Sequence, residues 1–205
     1  MLKKCGLYVI VDKGLVKGRD IIRVAQEALS GGADIIQLRD KASGDRELVE
    51  CARAISKAAA KYKRLFIVND RPDIALASDS DGVHLGQGDM PPENARRILG
   101  KRIIGISTHN REQAKAAESQ GADYIAIGPI FKTATKSGCR PIGVPALKKA
   151  QKDISLPFFA IGGISDSNIK YVKKGGAKRI AVASAAIKTK DVSAAVRRLK
   201  KALDE

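Results

Sequence analysis

Gln37, Arg39 and Lys41 place an amide, a guanidinium and an ammonium at alternate positions of one short stretch, Asp-Ile-Ile-Gln-Leu-Arg-Asp-Lys, residues 34–41. In an extended chain successive side chains point to opposite faces. Gln37 and Arg39 therefore share a face with Ile35, while Ile36, Leu38 and Asp40 take the other. Two readings fit these residues alone. One is an edge strand with a solvated polar face. The other is a set of inward donors that rise toward one rim to hold an anion. What the other strands carry at their ends decides between them.

Short β-branched runs recur along the chain at residues 7–11, 34–39, 65–69, 82–86, 103–107, 124–128, 158–162 and 179–183. Helical patterns lie between them. Ile21, Ile22, Val24, Ala25 and Ala28 make one apolar stripe, stopped by Gly31-Gly32. Leu48, Ala52, Ile55 and Ala59 make another at spacings of three and four. Pro72 suits a helical first turn. Asp166-Ser167-Asn168 opens a helix that closes at Gly175-Gly176, and Asp191 caps the last one. Eight strands alternating with eight helical segments predict an α/β fold, a (β/α)8 TIM barrel built as a single domain over residues 1–205. An open doubly wound sheet is the competing architecture, but no Gly-x-Gly-x-x-Gly follows the first strand. A weak internal repeat, Gly-Gly-Ala-Asp-Ile-Ile, Gly-Ala-Asp-Tyr-Ile-Ala and Gly-Gly-Ala-Lys-Arg-Ile-Ala, leads three times from a helix stop into a strand.

In such a barrel the active site lies at the C-terminal strand ends. Those ends carry Gln37, Arg39 and Lys41, then Asn69 and Asp70, Gln87 and Asp89, Ser107 and Thr108, a long polar loop after the sixth strand, Gly162-Gly163, and Ser184. The opposite ends show no such concentration. Asp70 and Asp89 share this region with Arg39, Lys41 and Lys136. Two carboxylates among several cations make sense if they hold a hard divalent cation, most simply Mg2+, bridging to a polyphosphate. Either could instead be a helix cap or a surface charge. Gly162-Gly163 before a helix start offers backbone N–H groups to a small phosphate. Two phosphorylated substrates joined across a barrel mouth is the chemistry these residues suggest.

Composition narrows the class. The 205 residues are 44% hydrophobic and 29% charged, as in an ordinary folded protein. No apolar run approaches the roughly 20 residues that cross a bilayer. The first residues carry no signal-peptide pattern, and Cys5, Cys51 and Cys139 form no Cys-x-x-Cys pair. A cytoplasmic protein that does not engage membranes is the expectation. Lys and Arg exceed Asp and Glu by 38 to 22, a net +16. Much of that excess falls on predicted outer helices (Lys57, Lys61, Arg64, Arg197, Arg198, Lys200), and aromatics are only 4%, so no nucleic-acid footprint is expected.

Several stretches carry a resemblance in order and spacing: Gln-Leu-Arg-Asp-Lys (37–41), Val-Asn-Asp-Arg (68–71), Gly-Val-His-Leu-Gly-Gln-Gly-Asp (82–89), Gly-Ile-Ser-Thr-His (105–109), Ile-Gly-Pro-Ile-Phe (127–131), Thr-Ala-Thr-Lys (133–136), Ala-Ile-Gly-Gly-Ile (160–164) and Ala-Ser-Ala (183–185). Over nearly its whole length the chain resembles the thiamine-phosphate synthase family. The resemblance implies attack of a thiazole phosphate nitrogen on hydroxymethylpyrimidine diphosphate, giving thiamine phosphate and pyrophosphate. It implies that Gln37, Arg39, Lys41, Asn69, Ser107 and Lys136 bind the pyrimidine diphosphate, with Arg39, Lys41 and Lys136 acting on the departing pyrophosphate. Asp70 and Asp89 would hold Mg2+. Thr133, Thr135, Gly163, Ala183 and Ser184 would line the thiazole phosphate side. The partners are then small phosphorylated molecules; the number of subunits is left open. His84 reads as an interior histidine and His109 as a helix-opening residue. Lys132 departs from the family pattern, which often has proline there. A related branch with thiazole tautomerase activity carries His where Pro129 stands and lacks the second carboxylate, so Asp89 and Pro129 favour the synthase. A barrel that binds nucleic acid without catalysis is the alternative from another class.

Overall fold

Every one of the eight β-branched runs becomes a strand. They are β1 (Leu7–Asp12), β2 (Ile35–Arg39), β3 (Leu65–Asn69), β4 (Gly82–Leu85), β5 (Ile103–Thr108), β6 (Tyr124–Ile127), β7 (Phe158–Ile161) and β8 (Ile180–Val182). The structure, a computed structural model, describes residues 2–133 and 140–205. Each strand pairs in parallel with the next, and β8 returns to β1 with Tyr8 beside Ala181, so the sheet closes into a barrel. The open-sheet alternative is excluded.

The connections are helical: α1 (Lys13–Val16), α2 (Ile21–Ser30), α3 (Asp45–Lys61), α4 (Pro72–Ala77), α5 (Pro92–Leu99), α6 (Arg111–Ser119), α7 (Pro145–Asp153), α8 (Ile169–Lys174), α9 (Ser184–Ile187) and α10 (Val192–Asp204). Asp20 and Asp191 cap α2 and α10 by accepting backbone N–H groups of their first turns. The short turns α1 and α9 are additional to the expected helices. Among the described residues no helix is long and apolar enough to cross a membrane.

Alternation along the strands divides the core in two. Ile36, Leu38, Val68, Val83 and Ile104 point outward and pack under the helices. Tyr8, Ile10, Ile35, Leu65, Ile67, Tyr124 and Phe159 fill the barrel interior. Tyr8 and Tyr124 each meet Phe159 edge-on, with centroids 5.3 and 5.5 Å apart, which favours the ring quadrupoles. Gly105 makes this layer possible, because a Cβ there would fall 2.0 Å from the Tyr124 ring. Large rings block the lower barrel, while Ala126, Ala181 and Ala183 above them leave the C-terminal mouth hollow.

The carboxylates at the N-terminal ends fasten neighbouring strands to one another. Asp34 donates its N–H to the Leu7 carbonyl, and its carboxylate accepts the Leu7 N–H at 3.0 Å. Asp81 clasps Phe66 and Asp123 clasps Ile104 in the same two-way manner. Strands β1, β3 and β5 are thus each fastened to the strand that follows. This explains two copies of the internal repeat, whose shared Ala-Asp supplies the clasp at Asp34 and Asp123. The third copy has Lys178-Arg179 and no carboxylate. Arg64 and Lys200 converge on Asp34 at 2.9 and 2.5 Å, and Arg96 reaches Asp123 at 2.8 Å. These cations are pinned partners, not part of a freely solvated face.

Candidate active site

A cavity opens at the C-terminal mouth. Gln37, Arg39, Asn69, Ser107, Thr133, Gly163, Ala183 and Ser184 all line it, so eight residues singled out from sequence come together. The polar face of β2 turns inward, which decides against the solvated edge strand. Strand-end position did not always mean a cavity role. The Gln87 amide donates to the Ser107 carbonyl and lies outside the cavity lining, whereas Thr108 lines the cavity while its hydroxyl donates to the Ala126 carbonyl.

Arg39 is aimed by a residue the sequence reading passed over. Asp12, the last residue of β1 and only 4% exposed, accepts from Arg39 Nη1 at 2.5 Å and from the Gly14 N–H at 2.8 Å. Its place at a C-terminal strand end, on the face of Tyr8 and Ile10, was the signal that could have found it. A charge-assisted bond of this length fixes the guanidinium while its other N–H groups stay available to an anion.

Below Gln37 and Ser107 lie further polar groups. Gln37 Nε2 donates to Tyr8 Oη at 2.7 Å, and the Tyr8 and Tyr124 hydroxyls are 3.0 Å apart. His84 Nδ1 lies 3.0 Å from Tyr124 Oη, and its Nε2 lies 2.9 Å from Ser107 Oγ. Burial holds both phenols well above their usual pKa, so they stay neutral. His84 is an interior histidine, as read from sequence, but it also lines the cavity.

The rim beside β2, β3 and β4 carries the second group. Asp40 accepts from the N–H groups of Ala42 and Ser43, turning the chain so that Lys41 stands on the rim. Lys41 Nζ meets Asp70 Oδ2 at 3.0 Å. Asp70 has a left-handed backbone (φ 63°) and donates its N–H to the His84 carbonyl, which turns it out of β3 toward the loop after β4. There Asp89, held by the Gly86 N–H at 2.6 Å, stands beside it. Burial, and then the Asp89 carboxylate, push the Asp70 carboxyl above its usual range, against the pull of Lys41.

This donor set fits a hard divalent cation. Two carboxylates repel one another at a half-buried rim, which a cation between them would relieve. Among the described residues no cluster of three or more His, Cys, Asp or Glu could hold a metal alone. A cation there would take its remaining ligands from an anion and from water, as Mg2+ commonly does.

The far wall is built from the loops after β6 and β7. Ile130 and Phe131 donate to the carbonyls of Ile161 and Gly162 at 2.8 and 3.0 Å. This close approach requires glycine at 162 and 163. Both have positive φ, and a Cβ would fall 2.5 Å from Pro129 Cα and 2.6 Å from the Lys132 carbonyl oxygen. His109 Nδ1–H donates to the Gly128 carbonyl at 2.6 Å, while its backbone N–H is held by Gln113 at the opening of α6. The helix expected to open at Asp166-Ser167-Asn168 does so, with Asn168 as its N-cap and Gly175 as its stop, which leaves a turn between Gly163 and its first residue. α8 begins at Ile169, and the Asn168 amide ties the intervening turn to Gly163. Thr135 and Lys136 lie outside the described residues.

The sequence pattern of the family described as thiamine monophosphate synthase matches residues 7–186. A thiamine-phosphate synthase of Shouchella clausii (strain KSM-K16) is 44% identical over 206 residues, covering 100% of this chain and 99% of its own. One from Methanocella arvoryzae (strain DSM 22066 / NBRC 105507 / MRE50) is 45% identical, covering 95% and 92%. Among solved structures, a thiamine phosphate pyrophosphorylase from Pyrococcus furiosus superposes with a TM-score of 0.92 at 40% identity, covering 99% and 97%. On these grounds the chain belongs to the thiamine monophosphate synthase family.

Proposed function

We propose that the protein is a thiamine-phosphate synthase, joining hydroxymethylpyrimidine diphosphate to thiazole phosphate with release of pyrophosphate. The observation that carries the reading is one mouth with two unlike walls in a chain of this family. One wall of the cavity carries Gln37 and Arg39, and the Lys41–Asp70–Asp89 group stands on the rim beyond the cavity lining, on the loops after β2, β3 and β4. The other is built from Thr133, Gly163, Ala183 and Ser184. The first suits a diphosphate with its counter-ion, the second a compact phosphate.

In this mechanism the bond between the pyrimidine methylene carbon and the diphosphate oxygen breaks, and its electron pair leaves with pyrophosphate. The pyrimidine ring stabilises the resulting cation. The thiazole nitrogen then supplies the pair for the new carbon–nitrogen bond. Arg39, aimed by Asp12, and Lys41 counter the charge that gathers on the leaving group, where fixed cations matter most. Lys136 joins them on the family pattern. Asp70 and Asp89 hold Mg2+, which when bound neutralises pyrophosphate charge. Asn69 and Ser107 complete the pyrimidine side, and Thr133, Thr135, Gly163, Ala183 and Ser184 bind the thiazole phosphate. No protein nucleophile is needed. The substrates are free small phosphorylated molecules, so we read the enzyme as cytoplasmic, without nucleic-acid or membrane partners. The pinning of Arg64, Arg96 and Lys200 to carboxylates supports reading the +16 charge as structural.

The test mixes purified protein with both substrates and Mg2+ and measures both products. Thiamine phosphate and pyrophosphate should appear in equal amounts. No thiamine phosphate, or rearrangement of a thiazole carboxylate phosphate without pyrimidine substrate, would overturn the reading.

A further inference from the structure

Five buried groups form one hydrogen-bonded line beneath the cavity, from Gln37 through Tyr8, Tyr124 and His84 to Ser107. Such a line has a direction, because a phenol has one proton and a neutral imidazole carries one N–H. Gln37 Nε2 donates to Tyr8, so the Tyr8 proton turns to Tyr124. The Tyr124 proton then turns to His84 Nδ1, leaving Nε2 as the protonated nitrogen that donates to Ser107 Oγ. The Ser107 proton is left to point into the cavity. At the other end, Gln37 cannot turn its amide over without setting Oε1 against the Tyr8 oxygen. A reversed amide requires both phenols, the imidazole tautomer and Ser107 to reverse together.

We propose that this line is a polarity relay that sets the hydrogen-bonding sense of the cavity and so selects an aminopyrimidine over its oxo counterpart. The inference rests on the pyrimidine reading of the site given above. An aminopyrimidine edge offers an amino donor beside a ring-nitrogen acceptor. The 4-oxo compound offers a carbonyl acceptor beside a ring N–H donor, the same pattern reversed. A freely turning glutamine would accept either edge. A glutamine held one way accepts one, and polar sites reject mismatched partners far more strongly than apolar pockets do. Tyr8, Tyr124 and His84 are here positioning residues, acting through Gln37 and Ser107.

Two measurements test the relay. Ring 15N NMR of the unaltered, substrate-free protein reads the tautomers directly. His84 should be the Nε2–H form, whereas His109, whose Nδ1–H donates to the Gly128 carbonyl, supplies the opposite signature for assignment. An Nδ1–H tautomer at His84 would overturn the direction, whatever the enzyme turns over. The second is the ratio of kcat/KM for amino- and oxo-pyrimidine diphosphates in wild type, Tyr8→Phe and Tyr124→Phe. Phenylalanine keeps the ring contacts with Phe159, so packing is retained. The wild-type preference for the amino compound should fall at least tenfold in each variant. A ratio that stays within twofold of wild type would overturn the selection. Wild type that makes no thiamine phosphate would instead sink the functional reading, and the NMR result would stand apart from it.

Discussion

Replacing Asp34 with alanine should cost much of the fold's stability while leaving the chemistry of the folded enzyme alone. Its carboxylate accepts from the Gly6 and Leu7 N–H groups at 2.8 and 3.0 Å, from Arg64 at 2.9 Å and from Lys200 at 2.5 Å. A buried donor stripped of its acceptor costs about 1–3 kcal/mol, and Asp34→Ala strips two backbone N–H groups. Arg64 and Lys200 are partly exposed and recover water, so each ion pair adds only about 0–1 kcal/mol. The total is about 2–8 kcal/mol, against the 5–15 kcal/mol typical of a domain. Urea unfolding should show a lowered midpoint with an unchanged slope. Acidity gives a second handle through Asp34→Asn. Burial alone would raise the Asp34 pKa, but the Leu7 N–H, the Lys200 ammonium and the Gly6 N–H outweigh it and hold the pKa below its ordinary 3.8. The charge's contribution is therefore complete above about pH 3.8 and is lost as pH falls through the lower folded value. The stability gap between wild type and Asp34→Asn should stay level down to that pH and close below it. A loss under 1 kcal/mol for Asp34→Ala, or a gap that widens on acidification, would refute the reasoning.

Asp12→Asn keeps a hydrogen bond to Arg39 but removes the charge that aims it; kcat/KM should fall about tenfold, about 1.4 kcal/mol, and an unchanged value in steady-state assays would deny Asp12 that role. Asp70→Ala and Asp89→Ala should each lower activity at least tenfold, about 1.4 kcal/mol of barrier, and full turnover in excess chelator would remove the metal from the account. Lys136→Ala should lower kcat at least tenfold, because a cation near departing pyrophosphate stabilises the transition state more than bound substrate. Lys132→Pro should keep kcat within about threefold, under 1 kcal/mol, and a larger loss there than at Lys136 would mean the loop residues are wrongly assigned.

What the sequence alone determined was whatever is local or periodic. β-branched runs separated by amphipathic stretches specify strands and helices, and eight alternations leave a closed parallel barrel as the simplest sheet without edges. The barrel rule then ranks strand ends, which is how Gln37, Arg39, Asn69 and Ser107 could be grouped across 70 residues of chain. Tertiary structure decided the rest, because pairings between distant side chains leave no periodic mark. Nothing near Asp12 announces Arg39, although each faces its partner across adjacent strands in register. His84 reads as an interior histidine, Tyr8 and Tyr124 simply fall within two other strand runs, and only barrel closure brings their polar atoms within hydrogen-bonding reach. The same closure made Arg64 and Lys200, which in sequence belong to the charge of the outer helices, partners of one buried carboxylate. A residue's tendency to be buried is written in its own neighbourhood. Which polar group meets it there depends on the register and curvature of the whole sheet.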